Sequence, residues 1–410
     1  MTLINTPRKR YVRRVSPTAP VSGIERWALD PSIVHLNHGS FGGCPRAVLD
    51  DAAAWRARLE AAPMRFFVLD WQRELDRARA ALAAFVRAPE DRLAFAPSAT
   101  AAVAIALHSY APRLAAGDEL LTTDHAYRAC RNQLERLADA RGLRIATVAV
   151  PLPFDAEALI ARTAAAITAR TRLALLDHVT SPTALRLPLE ALIAPLAARG
   201  VAIVVDGAHA PGQLDLDVGA LLARGVTYYA GNNHKWLCAP KASGFLAAAP
   251  GAPIAPLVTS HGPPNRLHAE LDWAGTHDPA PHLAVPAAIA AVAQEGGGWP
   301  AVLARNHALA LELRARFIDA LGGAPPGATL LARLLAPDDA IGAMAAIPIA
   351  LPPGTAPLQL ERQLLVDGWE VPIVDFAAGP LIRLSAHLYN HADQAGALAE
   401  KLAGLGVRLR

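Results

Sequence analysis

The sequence predicts an α/β fold: a large domain on a mostly parallel sheet sandwiched by helices, followed by a smaller C-terminal α+β domain. Three observations predict it. Between residues 92 and 231 short apolar runs alternate with helix-length amphipathic segments, each run ends in Ser, Thr, Asp, His or Asn, and past about residue 280 glycine- and proline-rich breaks change the pattern. Near-continuous apolar strands separated by helices belong to a sheet covered on both faces. In such sheets a ligand sits beyond the carboxyl ends of the strands.

In order, residues 1–20 carry the basic run "PRKRYVRR", expected as a disordered tail. Residues 21–280 form an N-terminal segment and the large domain, and residues 281–410 the small one. One helical pattern runs from about Asp50 to Val86. Strands follow at "RLAFA", "DELLTT", "LRIATVAV", "RLALLDHV", "VAIVVDGA" and "GVTYYAG", with helices between them. Gly296 to Gly298, Pro325–Pro326 and the proline-rich stretch 352–357 then break the chain. Strands "MAAIPIAL", "GWEVPIV" and "LIRLSAHL" accompany helices 299–321 and 358–366, and the N-terminal segment is expected to complete this domain.

A net charge of +3 over 410 residues gives no electrostatic footprint for nucleic acid, and no apolar run reaches the roughly 20 residues of a membrane helix. The expectation is a cytoplasmic protein without a nucleic acid or membrane partner. Cys44, Cys130 and Cys238 are widely spaced and odd in number, against a disulfide framework. Fourteen histidines without an HExxH pattern lead to no expected metal site.

The chemistry is read from lysine. Lys9, Lys235, Lys241 and Lys401 are the only lysines, which leaves 35 arginines among the 39 basic residues. An amine can be deprotonated near neutrality by burial beside another cation, whereas a guanidinium stays charged. Lys235 follows the strand "VTYYAG" within a few residues and comes after Asn232, Asn233 and His234, so it reads as a Schiff-base lysine; Lys241 lies in a loop leading to another strand. Asp206 is a lone carboxylate ending an apolar strand, costly unless paired, and suits a protonated pyridine nitrogen. Ser98, Ala99 and Thr100 open a helix and form a candidate phosphate cup.

The ordered series "LNHGSFG", "SAT", "TDHAY", "DHVTSPT", "VDGAHAPGQ", "NNHKW", "GTHD" and "IRLSAHLYN" resembles the class V aminotransferases, pyridoxal 5'-phosphate (PLP) enzymes of fold type I, and within them the isopenicillin N epimerase-like branch. The resemblance implies PLP bound through Lys235, with Asp206 at the pyridine nitrogen. It implies that His209 binds the phenolic oxygen with Ser181 or Thr180 nearby, and that His125 or Tyr127 covers the ring. Ala99, Thr100, Asn232 and His234 would hold the phosphate, and Thr276 would reach that of a neighbouring subunit in a homodimer with shared active sites. Arg383 would clamp the carboxylate of an amino-acid-type substrate, with Asn37, His38 and Gly39 lining its pocket.

That resemblance implies an epimerase or racemase acting at Cα, with Lys235 and one of Tyr127, His125 or His38 as opposed acid and base. The alternative is a β-eliminating C–S lyase of a cysteine-derived substrate. Transamination, cysteine desulfuration and a silent PLP-binding protein stand behind these. Desulfuration is disfavoured because "DGWEVPIVDFAAGPLIR" contains no cysteine.

Overall fold

Seven strands form the central sheet: β2 (Leu93–Ala96), β3 (Glu119–Thr123), β4 (Arg144–Val148), β5 (Thr171–Asp177), β6 (Ala202–Gly207), β7 (Tyr228–Asn232) and β8 (Gly244–Ala248). The computed structural model describes residues 23–264, 266–322 and 336–410; the basic tail and Pro325–Pro326 lie outside them. The order is β2-β8-β7-β6-β5-β3-β4, with β8 antiparallel to both neighbours and the other pairings parallel. β6 and β7 are buried at every position, which is why their sequences are apolar throughout rather than alternating.

β4 lies on one side of β3 while β5, β6 and β7 run out on the other. This reversal opens a crevice at the carboxyl edge of the sheet. In register across β5 and β6, Asp177 stands opposite Asp206.

The second sheet is β11 (Ile373–Val374), β12 (Leu381–Ser385), β9 (Met344–Ala350) and β13 (Arg408–Leu409), in that order, backed by helices Trp299–Ala320 and Asp393–Gly404. The N-terminal segment contributes β1 (Val34–His35), paired in parallel with β10 (Trp369–Glu370). The two form a separate two-stranded sheet, from which residues 36–43 run towards the carboxyl edge of the large one.

The single helix expected from Asp50 to Val86 is interrupted. Helix Arg46–Ala61 stops at Ala62 (φ −157°, ψ 73°), and a turn from Pro63 and a π-helical turn Phe66–Asp70 precede helix Trp71–Val86. Pro63 is the cause: its ring excludes the helical conformation from the residue before it and it has no N–H to donate. The interruption leaves Met64, Val68 and Leu69 at 81%, 68% and 63% exposure, an apolar edge unusual for so large a core.

Gly42 has φ 72° and ψ 151°, a conformation open essentially to glycine alone. A Cβ there would lie 2.1 Å from the His234 carbonyl oxygen and 3.0 Å from the Lys235 Cα. Gly42→Ala is therefore expected to lower stability by at least about 1–3 kcal/mol, read by denaturant unfolding. A loss within a few tenths of a kcal/mol would show that the two loops are not in contact.

Candidate active site

Five strand ends converge on one chamber of about 190 Å³. Ser98 and Thr100 follow β2, Tyr127 follows β3, Asp177, Val179 and Ser181 end β5, Asp206, Ala208 and His209 end β6, and Asn232, His234 and Lys235 end β7. Ser40 and Phe41 close it from the N-terminal segment. A second, wider chamber of about 500 Å³ shares Ser40, Tyr127 and Ser181 with it and adds Arg383, Arg128, Glu361 and residues 372–377.

Lys235 is half-buried, and its Nζ stands 3.3 Å from His209 Nε2. Trp236 Nε1, a donor only, reaches His209 Nδ1 at 3.5 Å, a long contact that leaves the imidazole proton on Nε2, facing the amine. Burial and then the positive charge of Arg383 lower the Lys235 amine to about 8, against the opposing pull of Asp206. His209 is itself held well below its usual range by burial, so the imidazole beside the lysine is neutral.

Behind the lysine, His38 Nδ1 accepts the Gly43 N–H at 3.2 Å, and its Nε2 donates to the Lys235 carbonyl at 3.1 Å. The ring stacks on His387 at 3.9 Å, and Cys238 Sγ lies 3.7 Å from His38 Nε2 and 3.5 Å from His387 Nε2. His38, Cys238 and His387 have the composition of a soft metal site. The near-parallel rings and the proton on His38 Nε2 direct those atoms to carbonyls of the lysine turn instead. Lys241 Nζ donates to the Gly42 carbonyl at 2.9 Å, giving that lysine a structural task.

Asp206 is 4% exposed; Oδ1 accepts the Ala208 N–H at 3.0 Å and Oδ2 accepts the Cys130 thiol at 3.2 Å. At the opposite end of the chamber, Ser98 caps helix Ala99–Tyr110 by accepting the Ala101 N–H at 3.2 Å, with Thr100 beside it. The carboxyl group at the end of β6 and the helix N-terminus after β2 stand three places apart in the strand order, with the Lys235 turn after β7 between them; they suit the basic nitrogen and the phosphate of PLP, and the residues fit the group.

Several expected roles change. Ala99 N–H is taken by Asn232 Oδ1 at 2.7 Å, so this pair braces the cup and leaves the Asn232 amide nitrogen for a ligand. His234 Nδ1 is bonded to the Ser243 carbonyl at 2.7 Å, and burial lowers the ring to about 4; it can donate to a phosphate only if the bound dianion restores its second proton. Thr180 is fully buried and its hydroxyl is spent within the turn on Thr183 (2.7 Å) and the Leu185 N–H (2.9 Å), whereas Ser181 borders both chambers. His125 lies outside both chambers, bonded to Thr183 at 2.9 Å and edge-on to Phe376; Tyr127 stands on their shared wall, 42% exposed.

His38 and Gly39 are buried behind the lysine turn and do not line the pocket. The helical turn His38–Phe41 sends Ser40 and Phe41 there instead. Asn37 reaches Arg383 only at 3.5 Å. Arg383, on β12 and 3% exposed, donates to Ser40 Oγ at 2.7 Å and to the Ser181 carbonyl, while its Nε has no partner. Thr276 is exposed and borders neither chamber of its own chain. The residue that sequence reasoning missed is Asp177, on the chamber floor; the polar end of "RLALLDHV" was its only signal.

Residues 44–253 match the family model "Aminotransferase class-V". Isopenicillin N epimerase of Streptomyces clavuligerus is 37% identical over 93% of this chain and 96% of its own. A putative L-cysteine desulfhydrase of Oryza sativa subsp. japonica is 34% identical over 72% of this chain and 65% of its own. Among solved structures, a variant of C-DES with glycine covalently linked to its PLP cofactor superposes with a TM-score of 0.72 at 21% identity, over 90% of this chain and 96% of that one, a likeness of fold. Sequence and architecture agree that the chain belongs to the class V aminotransferase family.

Proposed function

We propose that the protein is a PLP-dependent enzyme acting at the Cα of an amino-acid-type substrate, as an epimerase. The observation that carries this reading is that an amine lowered to about 8 and a phenol, Lys235 and Tyr127, wall one chamber while Arg383 waits in the chamber adjoining it. The 37% identity to an isopenicillin N epimerase over nearly the whole chain supports the same activity.

When bound, PLP supplies a pyridinium ring that stabilises negative charge at the substrate Cα. Asp206 would face its ring nitrogen, and Ser98, Thr100 and the Asn232 amide would hold its phosphate. Arg383 binds the substrate carboxylate, exchanging bonds to Ser40 and Ser181 for a fork of its own. Lys235 Nζ accepts the Cα proton from one face, and Tyr127 Oη delivers one to the other; running both steps backwards returns the first isomer. The outer chamber of about 500 Å³ leaves room for a substituent much larger than a simple side chain.

A homodimer in which Thr276 serves the neighbouring phosphate fits the exposed apolar residues Phe41, Met64, Val68 and Leu69. No helix among the described residues is long and apolar enough to cross a membrane. Three free buried thiols suit a reducing compartment such as the cytoplasm.

Turnover in deuterium oxide tests the reaction. Inverted product carrying deuterium at Cα is expected; release of pyruvate with sulfide or a thiol, without inversion, would instead establish the C–S lyase that the desulfhydrase relative represents. Capture of PLP by the apoprotein, followed by the visible absorbance band, should speed up as pH rises and level off above about 8, because the reactive form is the neutral amine. Arg383→Gln removes a positive charge and should move that midpoint upward. Lys235→Arg should abolish the band and turnover, whereas Lys241→Arg should retain the band.

A further inference from the structure

Asp177 is the one carboxyl group of the chamber that has no place in the reaction above. It ends β5, is 3% exposed, lines the chamber floor and is paired in register with Asp206, so both side chains project from the same face of neighbouring strands. The Tyr127 N–H donates to its carboxyl group, and Oδ2 is buried without a partner. Asp206 has both oxygens occupied by donors, the Ala208 N–H and the Cys130 thiol.

We propose that the proton shared by this carboxyl pair sits on Asp177, a positioning residue that limits the negative charge beside Asp206 and fixes the backbone of Tyr127. Two adjacent buried carboxylates cannot both ionise at modest cost, so one proton is retained. The donors decide where. Both Asp206 oxygens accept from donors, whereas Asp177, which takes the N–H groups of Tyr127 and of its own backbone, leaves Oδ2 unpartnered with room for a hydrogen. Burial and the neighbouring Asp206 both push Asp177 well above the usual carboxylate range.

The other titratable or charged groups facing this pair are Cys130 on helix Arg128–Arg141, His209 after β6, Tyr229 on β7, and Lys235, with Arg383 contributing from β12. The Cys130 and Tyr229 groups are themselves pushed up by burial and remain neutral donors. The chamber floor therefore carries at most one negative charge, matched to a single pyridinium. A second would attract the Lys235 ammonium and hold its proton on.

The role of Asp206 towards a ring nitrogen rests on the PLP reading, but the proton on Asp177 does not, and it is measured in the apoprotein. Infrared difference spectra of the wild type minus Asp177→Asn at neutral pH should contain the carbonyl stretch of a protonated carboxylic acid. A group raised in the folded state costs stability as pH climbs from its unfolded value of about 3.9 through its folded one, so the wild-type apoprotein should lose melting temperature over that range and Asp177→Asn should lose less. If Asp177→Asn does not fold, Asp206→Asn serves: with no anion opposite, the carboxylic acid signal should titrate at lower pH than in the wild type. Absence of that signal at neutral pH, or identical pH profiles, overturns the inference. A signal that is present in a protein forming no visible band with PLP would overturn the PLP reading and leave this one standing. In the loaded protein, Asp177→Asn should preserve the band and Asp206→Asn should shift it.

Discussion

Everything at the site depends on how the turn carrying Lys235 is held from behind. Its carbonyl accepts the Nε2–H of His38, whose other nitrogen takes the Gly43 N–H and whose ring stacks on His387. Gly42 lies against the same turn at a distance no side chain would allow, with its carbonyl fastened by Lys241. The N-terminal segment, the end of β7 and the loop after β12 thus meet at one point. Arg383 comes from that last strand, so the same contacts that place the amine also place this guanidinium.

One physical term sets the protonation of the chamber, and it acts with opposite sign on opposite charges. Removing groups from water disfavours the charged form, lowering Lys235, His209 and His234 while raising Asp177 and Cys130. Both oxygens of Asp206 accept from donors, the Ala208 N–H and the Cys130 thiol. An amine, a neutral imidazole and two carboxyl groups can then share one small cavity.

The second sheet is a carrier of site parts as much as a domain. β12 brings Arg383 and β1, through its pairing with β10, delivers Ser40 and Phe41. Because these residues come from opposite ends of the chain, the outer chamber exists only when both segments are seated on the small domain. The apolar edge left by the break at Pro63 lies in the large domain.

Local chemistry was legible in the residues themselves: runs such as "VAIVVDGA" specify buried parallel strands by their composition, and the isolated lysine among arginines marks an amine that lines the chamber and is lowered by burial. The polar strand ends announced a shared crevice for the same reason, since a sheet of this kind has only one face on which its carboxyl ends emerge. What the sequence could not decide was direction. Whether His38 faces a substrate or a backbone carbonyl, whether Tyr127 or His125 reaches the chamber, and whether Thr180 or Ser181 does so depends on rotations of a single residue within turns, set by contacts with partners up to 351 positions away, as His38 is from Tyr389. Asp177 shows the same division: its residue type was plain, but its meaning came from a register pairing with Asp206, and only the assembled sheet brings two carboxyl groups close enough for one to keep its proton.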